Sequence, residues 1–344
     1  MRKIYLDNQS TTQLDPEIMD FMIPYFLKKF GNSSSKTHSY GWEAEAAVDL
    51  SRKHISDLIN SKPNEIIFTS GATESNNIAL ASILKSKKTN FITCLTEHRA
   101  ILDVCKSYEN KGIKTKYLNI SNNGNLDLDN LENNLSENVH MISLMHANNE
   151  IGTIYPIEEI GAICKKHNIL FHVDAAQSLG KIAIDVKKMN VDFMSFSSHK
   201  IYGPKGVGAL FVNNKHKNKI YPITFGGGQE NGLRPGTLPV PLIIGFGEAC
   251  KKANSVMLSE SKKIKKMRDT LLSNIKKEIP NLIINGTMEN RLHGNLNLSF
   301  PSLKGQSIVT SIPSVALSSG SACSSSISKP SHVLKAIGLN NNLC

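Results

Sequence analysis

The stretch "VDFMSFSSHKIYGPKGVGALFV", residues 191–212, holds two apolar runs, 191–197 and 207–212, on either side of a turn rich in Gly and Pro. Both runs are short and bounded by breakers, as expected of strands buried on both faces. Between them stands Lys200, just past the first run and just before glycines that allow close backbone approach. Most lysines lie on solvated surfaces. A lysine that ends a buried strand is instead desolvated, which lowers its pKa and frees its amine to form a Schiff base.

Working outward, runs of the same kind recur at "EIIFTS" (65–70), "NFITCL" (90–95), "KTKYLN" (114–119), "VHMISLM" (139–145) and "ILFHVDA" (169–175). Helical patterns lie between most of them, at 74–86, 98–111 and 156–167. This alternation predicts an α/β architecture, a mostly parallel seven-stranded sheet covered by helices. Residues 241–279 read as one long helix with many exposed lysines. The short strands "NLIIN" (281–285), "GNLNLSF" (294–300) and "SVALSS" (314–319) then predict a smaller α+β unit. A chain of 344 residues is too long for one small core, and the expected division is a large domain, 15–255, and a small one made of 1–14 and 256–344.

Composition narrows the class. With 40% apolar and 20% charged residues the chain is an ordinary globular protein. No apolar run reaches the length of a membrane span, and "MRKIYLDNQSTT" lacks the apolar region of a signal peptide, so a cytoplasmic protein with no membrane partner is expected. The net charge of +11 comes from scattered lysines ("KSKK", "KHKNK", "KKIKKMR") with no RNA-binding signature. A solvated basic surface without direct nucleic-acid binding follows. The six cysteines form no CxxC pair and no zinc spacing. Cys94, Cys105, Cys164 and Cys250 sit in apolar-periodic segments and read as core. Cys323 stands apart in "SSGSACSSSISKPSH" (318–332), a sequence that favours neither helix nor packed strand.

Two further stretches carry chemistry. In "TSGATESNN" (69–77) a strand ends, a turn of small residues follows and a helix begins near Thr73. Free N–H groups and the helix dipole there suit a phosphate, although a plain turn capped by Thr reads equally well. In "FHVDAAQSLGK" (171–181) Asp174 follows an apolar strand, where a buried carboxylate needs a partner. It could bind a metal, cap a helix or hold a protonated ring nitrogen. Without a second acid or histidine at ligand spacing, metal is the least supported of these. Ser197 and His199, beside Lys200, could bind phosphate. All these residues fall at the carboxyl ends of predicted strands, where open α/β sheets bind ligands. A phosphate cradle, a buried acid and a Schiff-base lysine together are what pyridoxal phosphate requires.

The chain resembles the cysteine desulfurases of the NifS/IscS type, in the class V aminotransferase group of fold-type I pyridoxal-phosphate enzymes. The shared motifs are "YLDNQSTT", "TSGATESNN", "TEHRAIL", "HANNEIGT", "HVDAAQSLGK", "SSHKIYGPKG", "GGGQENGLRPGTLPV" and "SSGSACSSS", in the family's order and over nearly the whole chain. The resemblance implies that Lys200 holds the cofactor as a Schiff base, with Asp174 on the pyridine nitrogen and Gln177 on the phenolic oxygen. His98 would stack on the ring and assist proton transfer, and Asn149 would touch cofactor and substrate. Ala72, Thr73, Ser197 and His199 would bind the phosphate, and Thr237 would reach the phosphate of the neighbouring subunit in a homodimer. Arg234 would line the same site.

Cys323 would be the nucleophile that takes sulfur from L-cysteine as a persulfide, leaving L-alanine. The sulfur would pass to an iron–sulfur scaffold protein and other acceptors, for iron–sulfur cluster assembly and for tRNA thiolation. No resident metal is implied; Cys323 would touch a nascent cluster only transiently. The family also continues beyond a point matching Cys344, with a carboxylate-binding arginine and the rest of the small domain, so a truncated, non-catalytic homologue is one alternative reading. Another class V aminotransferase or a selenocysteine lyase is the other.

Overall fold

The computed structural model describes residues 3–301, 303, 305–319 and 330–340, Gln306 by its backbone alone. In chain order its main elements are β1 (Ile4–Tyr5), α1 (Pro16–Leu27), α2 (Ser39–Leu58), β2 (Ile66–Thr69), α3 (Ala72–Leu80), β3 (Asn90–Cys94), α4 (Arg99–Glu109), β4 (Lys114–Leu118), α5 (Leu128–Asn133) and β5 (Val139–Met145). There follow α6 (Ile157–Lys166), β6 (Leu170–Asp174), β7 (Phe193–Ser197), β8 (Gly208–Val212), α7 (Val240–Glu278), β9 (Ile283–Ile284), β10 (Leu298–Ser299), α8 (Gly305–Ser311), β11 (Val315–Ala316) and α9 (His332–Ala336).

The seven apolar runs join one sheet in the order β2-β8-β7-β6-β5-β3-β4. β8 runs antiparallel to both neighbours, and every other pairing is parallel. Every residue of β5, β6, β7 and β8 is buried, as helices on both faces require. β4, at one edge, instead alternates, with Lys114 and Lys116 exposed. Lysines on an exposed edge oppose pairing with another chain. The helix read at 74–86 is shorter than expected: α3 stops at Leu80, and a 3-10 turn covers Ala81–Lys85.

β2, at the other edge, is closed by an ion pair. Arg52 of α2 donates to the Ile66 carbonyl, and its guanidinium meets Glu230 at 2.9 and 2.7 Å. Glu230 in turn accepts the Phe68 N–H at 2.8 Å. Two backbone groups of β2, the Ile66 carbonyl and the Phe68 N–H, are thus met by side chains, and the Glu230 carboxylate, only 3% exposed, is met by Arg52 and β2 together. The guanidinium also lies over the Phe68 ring, 4.7 Å from its centroid.

The buried first part of α7, Val240 to Cys250, packs in the main core with α1 and α2. The later strands are only two residues long: β9 pairs antiparallel with β10, and β1 parallel with β11. Pro280, Pro301 and Pro313 flank them, and proline cannot donate to a ladder. The β9–β10 region seats on the loop after β5 through Ile154 N to Asn290 O and Leu292 N to Gly152 O, both 2.8 Å. Asn295 reinforces that seat by donating to the Glu150 carbonyl at 3.0 Å. No helix among the described residues is long and apolar enough to cross a membrane.

The buried Arg52–Glu230 pair yields a prediction. Arg52→Ala leaves Glu230 desolvated and unpaired, and is expected to cost about 3 kcal/mol of unfolding free energy. Urea denaturation would read this; a loss below ~1 kcal/mol would place the pair with ordinary surface bridges.

Candidate active site

Because β6 and β7 run parallel and side by side, their carboxyl ends open on the same cleft, of about 2780 Å³. Ala72, Thr73, His98, Asn149, Asp174, Gln177, Ser197, His199 and Lys200 all line it. Arg234 and Thr237 do not: Thr237 is exposed, and Arg234 is held by Glu74 at 2.8 and 3.2 Å. Cys323 lies outside the described residues.

The phosphate-type cradle forms where β2 turns into α3. Gly71 has φ +154°, a conformation that side chains rarely adopt, and a Cβ there would point within 3.8 Å of Ser197 Oγ. Thr69 and Ser75 hydroxyls, 2.8 Å apart, brace the turn beneath. The first N–H groups of an α-helix have no partner within it, and the residues that carry them here, Ala72, Thr73 and Glu74, line the cleft.

Asp174 ends β6 and is buried. One carboxylate oxygen accepts the Ala176 N–H at 2.9 Å, the other the Asn76 amide at 2.8 Å. Asn76 comes from α3, so the helix that forms the cradle also orients the acid. Lower on the same strand, His172 lies between the Ser143 and Ser195 hydroxyls at 2.8 and 3.0 Å, and burial pushes its pKa down to about 4. Glu97 is wholly buried, accepts the Met145 N–H at 2.8 Å, and is held well above the usual carboxylate range by burial and by the charge of Asp174.

His98 is the N-cap of α4. Its Nδ1 accepts the Ala100 N–H at 3.1 Å, so the neutral ring carries its proton on Nε2. Burial lowers its pKa, keeping it neutral at pH 7. Asn149 is presented by a turn that Asn148 builds: the Asn148 side chain accepts from Glu150 N and Ile151 N at 2.8 and 2.9 Å and donates to the Thr96 carbonyl at 2.9 Å.

The N-terminal segment closes the site from above. Thr12 binds the His199 carbonyl, and Thr11 Oγ1 lies 3.0 Å from His199 Nδ1. Lys200 Nζ donates to the carbonyls of Gln9 and Ser10, the latter at 2.7 Å. Gln177 Nε2 donates to the same Gln9 carbonyl at 2.8 Å. His199 is pushed down to about 4 by burial and by Lys200, Lys205 and Lys181.

Sequence reasoning missed Asn76, Glu97, Lys181 and the Gln9 and Ser10 carbonyls. The first three stand inside the motifs already singled out, but their signal is a contact and not a residue type. The carbonyls carry no sequence signal at all. The groups present do fit pyridoxal phosphate: a glycine turn at a helix N-terminus for an anion, a fixed carboxylate for a ring nitrogen, and a lysine amine on the same cleft.

The family model for class-V aminotransferases matches residues 4–340. The chain is 48% identical to a protein named cysteine desulfurase IscS from Ehrlichia chaffeensis, over 99% of this chain and 84% of that one. It is 46% identical to a cysteine desulfurase of Pongo abelii, over 100% of this chain and 76% of the relative. Among solved structures, one described as a NifS-like protein superposes with a TM-score of 0.92 at 35% identity, covering 99% of this chain and 91% of the other. Another, described as SspA in complex with cysteine, gives 0.88 at 36% identity, covering 99% and 96%. With nearly its whole length matched in sequence and in fold, the chain belongs to the class-V aminotransferases and, among them, to the pyridoxal-phosphate-dependent cysteine desulfurases of the IscS type.

Proposed function

We propose that this chain converts L-cysteine to L-alanine and retains the sulfur as a persulfide on Cys323. The observation that carries this reading is the convergence of Lys200, Asp174 and the α3 N-terminus in one cleft, in a chain so close to named desulfurases. Bound pyridoxal phosphate supplies an electron sink for bonds broken at the substrate's carbons. The remaining work falls to the chain's own groups. Ala72, Thr73, Ser197 and His199 take the phosphate, and Asp174, fixed by Asn76 and Ala176, keeps the ring nitrogen protonated. Gln177 turns its amide to the phenolic oxygen. Lys200 would hold the cofactor through its amine, and that amine would move the substrate's α-proton. His98 donates a proton from Nε2, and Asn149 orients the substrate.

In the sulfur step the Cys323 thiolate attacks the sulfur of L-cysteine. A sulfur–sulfur bond forms and the carbon–sulfur bond breaks. Its electron pair stays on carbon and takes up a proton, so L-cysteine and one thiol become L-alanine and one persulfide.

A homodimer belongs to the same proposal. α1 and the chain after it expose Phe21, Phe26, Leu27, Phe30 and Trp42, between 52% and 69% exposed, large apolar side chains that a partner subunit would cover. The exposed Thr237 would reach a partner's phosphate. Arg234 serves the site through Glu74, at the start of α3. We further assign a large unit, 15–255, and a small one, 1–14 with 256–344, whose division falls inside α7. An iron–sulfur scaffold protein and other acceptors, tRNA thiolation among their uses, would receive the sulfur. A cytoplasmic setting is supported by Cys94, Cys105, Cys164 and Cys250, all buried and free.

The test is sulfide and alanine release from L-cysteine with a thiol reductant present. Equal amounts of the two are expected, with no sulfide from Cys323→Ala and an unchanged cofactor spectrum in that variant. Full turnover by Cys323→Ala would overturn the reading. Asn76→Ala removes a hydrogen bond to the Asp174 carboxylate and is expected to weaken cofactor affinity about tenfold, read by equilibrium dialysis.

A further inference from the structure

We propose that Lys181 is a positioning residue for the cofactor: its ammonium fixes which way the Gln177 amide points and sets a second cation beside Lys200. The inference rests on the reading that Lys200 and Gln177 hold pyridoxal phosphate.

The argument starts from donor and acceptor inventory. An ammonium can only donate, whereas an amide has one accepting and one donating end. Lys181 Nζ donates to Gln177 Oε1 at 3.2 Å. The amide oxygen is therefore turned to Lys181, and the NH₂ must point the other way. It does so, donating to the Gln9 carbonyl at 2.8 Å, the same carbonyl that receives Lys200 Nζ. Lys181, Gln177, Gln9 and Lys200 thus form one hydrogen-bonded series on the cleft wall. A phenolic oxygen that carries negative charge is an acceptor and needs the NH₂ end. Flipped, the amide would present its oxygen to that charge. Lys181 and the Gln9 carbonyl together set that orientation before any cofactor is bound.

The backbone of Lys181 is itself held on two sides. Its N–H bonds the Ser178 carbonyl at 3.0 Å, and its carbonyl accepts from Ser261 of α7 at 3.1 Å. Among the described residues its ammonium pairs with no carboxylate. Charged and titratable groups that share its cleft include Lys200 and His199 after β7, Lys205 before β8, Asp174 at the end of β6, His98 before α4, and Glu260, Lys252, Arg268 and His293 on or after α7, with Asp7, Asp15, Glu74, Glu150 and Tyr202 from other segments. Burial, and then Lys200, push Lys181 down to about 7. Its charge and whatever proton the Lys200 nitrogen carries therefore oppose one another.

The sign follows. A cation nearby disfavours a proton on the Lys200 nitrogen, so removing it lets that proton persist to higher pH. In the holoenzyme this proton sets the visible absorption band, which reads the effect without turnover. Lys181→Met keeps the stem and removes donor and charge; the midpoint of the band's pH change is expected to rise by about one unit. Lys181→Arg, which keeps both, is expected to stay near the parent midpoint. A Met variant within roughly 0.3 unit of the parent, or an Arg variant shifted as far as Met, would reduce Lys181 to packing and overturn the proposal. If the Met variant takes up no cofactor, Lys181→Gln carries the same measurement, and an unmoved midpoint there overturns it equally. Lys200→Ala separates the two levels: a pH-dependent band retained in that variant would sink the reading of Lys200 itself and leave the Lys181 test without its premise.

Discussion

The carboxylate of Asp174 is the group whose burial the rest of the site has to satisfy. At the end of a central strand, with helices on both faces of the sheet, an unpaired charge would be far too costly to keep. Its two oxygens are met by Ala176 N–H and by Asn76. The second contact requires α3 to begin where it does, at Ala72, so that its fifth residue reaches back to β6. That same start creates the free N–H groups that suit a phosphate. One constraint thus fixes the relative placement of acid and anion cradle, before any ligand is considered.

The N-terminal segment extends this order to the lysine. β1 pairs with β11, which leads into the segment bearing Cys323. A few residues after β1, the carbonyls of Gln9 and Ser10 hold Lys200, and Thr12 holds the turn behind it. Carbonyls are a suitable holder for this amine. Dipolar oxygens position the ammonium while stabilising it less than a carboxylate in their place would.

The seven sheet strands were legible in the sequence because each is an apolar run between breakers, and buried parallel strands leave little else they could be. The small strands were legible only as apolar segments. Their two-residue length depends on prolines and on seats against the 150–154 loop, a tertiary matter. In the site, Lys200, Asp174 and the 69–77 turn could be found because the chemistry demands those residue types at strand ends. Glu230 and Arg52 could not: what matters there is that one carboxylate meets both an arginine and the edge of β2. Asn76 and Lys181 escaped for the same reason, since an amide or a lysine inside a motif reveals its partner only once the chain is folded.

The charge balance of the cleft argues for what it is built to receive. Lys181, Lys200 and Lys205 all line it, and His199 is driven down to about 4 partly by their presence. The nearest fixed anion at the strand ends is Asp174, already committed to Asn76 and Ala176. Like charges gathered this way are a cost to the folded chain on its own and an advantage once a multiply charged anion arrives in a partly desolvated space. A phosphate at the α3 N-terminus would relieve that repulsion together with the unsatisfied N–H groups. The same cations that hold such an anion also lower the affinity of neighbouring amines for protons, so binding the phosphate and readying an amine for reaction draw on a single arrangement of charge.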